Sequence, residues 1–95
     1  MRNYELVMII SPSVADEDVS TTIDKTSQFI TERGGSIAEV NQWGRKKLAY
    51  PIKSFMEGNY VLTKLSMGPK LADELEASLR ISEDILRHLL VRLDD

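Results

Sequence analysis

Three cations stand side by side at Arg45, Lys46 and Lys47, directly after Trp43-Gly44 and directly before the apolar run Leu48-Ala49-Tyr50-Pro51-Ile52. Side chains of an extended chain alternate between faces, so Arg45 and Lys47 share one side and Lys46 takes the other. Two chemistries suit such a run. It can meet the phosphates of a nucleic acid, or it can line a solvated sheet edge, where charge prevents edge-to-edge pairing. The residues alone leave both open. Arg2, Arg80, Arg87 and Arg92 add scattered positive charge.

Side chains for covalent or metal chemistry are scarce. The chain has no cysteine and a single histidine, His88. That removes thiol chemistry, a disulfide framework and the usual zinc ligand sets. Gly34-Gly35 ends a helical stretch where a phosphate loop would open one, and no nucleophile motif is present. His88 reads as a structural or partner-facing residue. Asp16, Glu17 and Asp18 point in different directions around one helical turn, which favours a helix-dipole role over metal binding. Glu83-Asp84 and Asp94-Asp95 read as solvated charge. No catalysis by this chain, no metal, no cofactor and no small-molecule substrate are expected.

Fifteen acidic residues against twelve basic ones give a net charge of −3. A free-standing nucleic-acid binder is usually basic, because phosphate neutralisation supplies most of its affinity. Any such contact here has to come from a local patch or with a basic helper. Ninety-five residues suit one domain, 1–95. The longest apolar run, Leu6 to Ile10, is too short to cross a bilayer; a cytoplasmic protein without membrane contact is expected.

The elements that carry these side chains follow from periodicity. Tyr4 to Ile10 alternates with apolar residues on both faces, as a central strand does. Val19, Ile23 and Ile30 recur at helical spacing, with Arg33 in the last turn and Gly34-Gly35 as a left-handed stop. Ser36 to Trp43 and Arg45 to Ile52 read as strand. The spacing of Ile37 and Val40 predicts a bulge, and Pro51 predicts an edge. Ser54 to Gly58 reads as a turn, and Asn59 to Met67 as a strand with Val61, Thr63, Leu65 and Met67 on one face. Pro69 opens a second helix, striped by Leu71, Leu75 and Leu79. Arg80 to Asp84 reads as a turn, and Ile85 to Leu93 as the last strand. This order predicts an α+β, ferredoxin-like split β-α-β fold, a four-stranded antiparallel sheet with two helices on one face. The other face then carries Val7, Ile9, Tyr60 and Leu62. It is too apolar to stand in water as one patch and too poor in aromatics to stack bases, so it is expected to bind protein, the alternative being apolar residues simply tolerated at the surface. Trp43 is assigned to the same protein-binding surface.

Several stretches, in order and at matching spacing along nearly the whole chain, resemble one family. They are "MRNYELVMIISP", "WGRKKLAYPI", "EGNYVL" and "LRISEDILRHLLVR", and the family is that of the sixth protein of the bacterial small ribosomal subunit. The resemblance implies a structural role in that subunit. It also implies binding to the central domain of small-subunit ribosomal RNA jointly with a basic partner, the eighteenth small-subunit protein. By the same resemblance Arg2, Arg45 and Lys46, continued by Lys47, together with Arg80, Arg87 and Arg92, are expected at RNA. Leu48 and Tyr50 are expected to anchor the basic strand by packing. Two rival readings on the same fold are weaker. An acyl-phosphate hydrolase needs an anion-cradling loop after the first strand, where Ser11 to Asp18 offers acid instead. A metabolite-sensing module needs a glycine-rich turn there, and none is present.

Overall fold

The structure, a computed structural model, describes residues 1–93, so Asp94-Asp95 lie outside the described residues. Its elements run β1 (Arg2–Ile10), α1 (Asp16–Glu32), β2 (Ser36–Ile52), β3 (Phe55–Met67), α2 (Pro69–Ile81) and β4 (Ile85–Arg92). The four strands form one antiparallel sheet in the order β2-β3-β1-β4. As its two-sided apolar pattern requires, β1 sits inside the sheet.

One face holds the core. Tyr4, Leu6, Met8 and Ile10 of β1 pack with Val61, Leu65 and Met67 of β3 beneath Val19, Ile23 and Ile30 of α1 and Leu71, Leu75 and Leu79 of α2. Both helices therefore cover the same side. Acidic residues fill the first turn of α1, Pro69 opens α2, and Gly34 follows α1 with a positive φ of 94°. At the end of β1 the buried Ser11 accepts a hydrogen bond from the Ser13 backbone N–H at 3.1 Å, while its own N–H donates to the Asp84 carbonyl at 2.8 Å. The chain turn into α1 is thereby tied to the approach to β4.

Three boundaries depart from the periodicity reading. The turn expected over Ser54 to Gly58 contracts to Lys53-Ser54, and β3 begins at Phe55. Both turn residues have positive φ, 50° and 71°, the pattern of a two-residue type I′ hairpin turn. The residues there carry no Asn-Gly signal. Secondly, α2 continues through Arg80 and Ile81 into the stretch that reads as a turn. Arg33 stands at the C-cap, one residue past the end of α1. The bulge expected near Ile37 is present, and a second one falls between Gln42 and Gly44. The extra residue of that second bulge is Trp43, followed by Gly44 at φ 84°, where a side chain would be strained.

Candidate functional site

The helix-free face of the sheet is not bare. The β2–β3 hairpin outreaches β1, and its register shifts between Lys47 and Ile52. This bends the tip over the sheet. Leu48 packs there with Ile9 and Leu86, joined by Ile52, Phe55 and Tyr60. Ile9, expected in the open, is only 8% exposed, and this corrects its place on the surface. The correction has a local cause at Gly58. A Cβ at that position would lie 2.6 Å from Ile9 Cγ2 and 3.0 Å from the Ile10 carbonyl oxygen, so the missing side chain makes the room that Ile9 occupies.

Beside this second cluster a groove of about 400 Å³ remains, lined by Val7, Ile9, Leu48, Tyr50, Tyr60 and Leu89 among others. Val7, Tyr60 and Leu62 are half-buried on this face. Leu48 is buried as expected, but Tyr50 is 56% exposed and anchors nothing by packing. It reaches across the face instead and accepts a hydrogen bond from the Arg87 guanidinium. Leu89 and Val91 extend the apolar surface along β4 and are 60% and 41% exposed. Sequence reasoning missed both as site residues, although their alternation with Arg87 is the signal that marks them. Trp43 is also largely exposed but lies outside the lining of the groove.

The cations do not gather on one surface. Arg45 lies opposite Asn59, which in turn faces Ile10, so Arg45 points to the helix side. There it donates to Glu57 at 2.9 Å and to Asp16 in the first turn of α1 at 3.1 Å. Hydrogen bonds first to Glu57 and then to Asp16 raise its pKa above the ordinary arginine value. Two carboxylates thus compete with any phosphate for this guanidinium. Lys47 is exposed on the same side, opposite Glu57, whereas Lys46 is exposed on the helix-free side, opposite Gly58. Arg87, opposite Ile9, shares that helix-free side. Arg2 and Arg92 lie opposite Met67 and Tyr4, hence on the helix side of the sheet's other end. Arg80 is exposed on α2, apart from the strand arginines. His88 is half-buried opposite Met8. No group of three potential metal ligands occurs among the described residues.

A sequence profile described as ribosomal protein S6 matches residues 3–92. The chain belongs to the ribosomal protein S6 family. Its relatives include the small ribosomal subunit protein bS6 of Moorella thermoacetica, 42% identical over 95 residues and covering 100% of this chain and 97% of that protein. The bS6 of Desulforudis audaxviator is 43% identical over 94 residues, 99% of this chain and 100% of that protein. In structure, the 30S ribosomal protein S6 of Thermotoga maritima superposes with a TM-score of 0.90 at 34% identity, over 96% of this chain and 86% of that one. Membership of the S6 family makes this chain a structural protein of the small subunit of the cytoplasmic ribosome, not an enzyme.

Proposed function

We propose that the chain binds the central domain of small-subunit ribosomal RNA jointly with a basic protein, the eighteenth of the small subunit, as a heterodimer on the RNA. The observation that carries this reading is the division of the surface. An apolar groove lies on the helix-free face of the sheet, cations are spread around its margins and on the opposite side, and the net charge is −3. Apolar surface of this kind is covered by protein, and an acidic chain with dispersed cations holds RNA weakly by itself. Val7, Tyr60 and Leu62, continued by Leu89, form the protein-facing surface, and Trp43, exposed but outside the groove lining, is a further apolar side chain available to the partner. Lys46 and Arg87 on that side, and Arg2 and Arg92 on the other, are the cations placed for phosphate. Lys47 and Arg80 are accessible secondary contacts, and Arg45 contributes less than its position in the basic run suggests because Glu57 and Asp16 hold it.

A salt titration of binding to a central-domain RNA fragment, with and without the basic partner, tests the reading. The expected result is weak binding alone, tight binding together, and a shallow log-affinity against log-salt slope for the chain alone, near −2 to −3 for about three phosphates. Tight partner-independent binding would defeat the cooperative reading.

A further inference from the structure

Two cations that no motif marks come together at the sheet's end distal to the hairpin. Arg33 follows α1 and Lys70 lies in the first turn of α2, and both line one shallow depression of about 560 Å³. Arg2 stands beside it, because its strand partner Met67 is followed directly by Gly68 and Pro69, which lead into α2. Arg92 lies opposite Tyr4 on the neighbouring strand and on the same side as Arg2. Strand register and the shared depression therefore bring four cations, from β1, β4, the first turn of α2 and the residue after α1, to one end of an otherwise acidic chain. Glu74 is the one carboxylate among the lining residues, and it meets Arg33 only at 3.9 Å; Asp73 is its neighbour on α2. Arg33 is already held in place. Its guanidinium lies 3.8 Å from the centre of the Phe29 ring and donates to the Phe29 carbonyl at 3.2 Å. A cation fixed before binding sacrifices little freedom on meeting its ligand.

We infer that Arg33 and Lys70, together with Arg2 and Arg92, form a second phosphate-contacting surface that takes the sugar–phosphate backbone of the RNA, on the side of the sheet opposite the partner-binding groove. The inference rests on the reading that this chain binds small-subunit RNA. An acidic protein segment fits the site less well. The depression is wide and shallow, and three of the four cations at this end of the sheet are arginines, whose planar forks match phosphate oxygens. The contact is to backbone, so it adds affinity and orientation without reading sequence.

The test is a salt titration of binding to a central-domain RNA fragment in the presence of the basic partner. It compares the wild-type chain, Lys70→Gln, Arg33→Gln with Lys70→Gln, and Lys25→Gln as a control on the exposed side of α1. Removing one phosphate-bound cation should flatten the slope by about 0.9. The single variant should show about one such step and the double variant about two, with several-fold weaker binding at physiological salt and an unchanged control. Arg33 also packs on Phe29, so Lys70→Gln, with an unchanged melting temperature, is the decisive variant. An unaltered slope in Lys70→Gln while the wild type binds overturns this inference and leaves the proposed function standing. Absence of RNA binding by the wild-type chain with its partner overturns both.

Discussion

Position 58 has no side chain, and Ile9 fills the space one would need. Gly58→Ala forces a methyl to within 2.6 Å of Ile9 Cγ2 and 3.0 Å of a main-chain oxygen. The backbone cannot yield cheaply, so the substitution should cost about 1–3 kcal/mol in a urea unfolding experiment. It should also weaken partner binding by distorting the groove. The hairpin turn has the opposite potential. Lys53 and Ser54 both carry positive φ, a region that costs a residue with a Cβ about 1–2 kcal/mol. Ser54→Gly removes that cost but loosens the unfolded chain, leaving an expected gain of about 0.5–1 kcal/mol in the same measurement. At Arg45 the raised pKa has a defined sign. Its folded value exceeds the unfolded one, so the contribution is complete below the unfolded arginine pKa and fades only as pH rises past the folded value. Over the neutral range, therefore, the difference in melting temperature between wild type and Arg45→Ala should not vary with pH on account of the guanidinium. In RNA titrations Arg45→Ala should matter less than Lys46→Ala.

Among the elements, α2 offers the plainest test of the core. Leu75 is 1% exposed in the middle of the Leu71–Leu79 stripe, and Leu75→Ala should lower stability by roughly 2–5 kcal/mol through reduced burial and a cavity. That stripe, and the alternation in β1 and β3, are readable in the residues because burial on one side imposes a period of 3.6 or 2 on the sequence. The hairpin is not. Between Lys47 and Ile52 the pairing slips, so no simple alternation survives, and Phe55 to Gly58 resembles a turn for the same reason. The fate of Arg45 is hidden as well, since Asp16 lies 29 residues away in sequence and only the fold brings it near. Arg33 and Lys70 are lone cations in separate elements, with nothing in their local sequence to connect them. Periodicity thus locates the core and the apolar sheet face, while the parts of the candidate site made by hairpin curvature and long-range approach emerge only in three dimensions.

For the whole molecule, the covered state of Ile9 separates two otherwise similar substitutions. Val7→Ser should leave the fold largely intact and reduce partner binding, because Val7 is only half-buried on the groove. Ile9→Ser should lower the unfolding midpoint as well, because it removes the centre of the second cluster. Comparison of both variants by thermal melting and by partner titration checks the distinction. The position of β1 has a further consequence, for biosynthesis. Val7 is flanked by Leu62 on one side and Leu89 on the other, so the first strand to leave the ribosomal tunnel waits for nearly the last. Until then its unpaired edge and apolar residues stay accessible, and the sheet closes by pairing between the two ends of the chain, which forms slowly. A nascent chain arrested after Ser82 should remain protease-sensitive, and protection should arrive only once β4 has emerged.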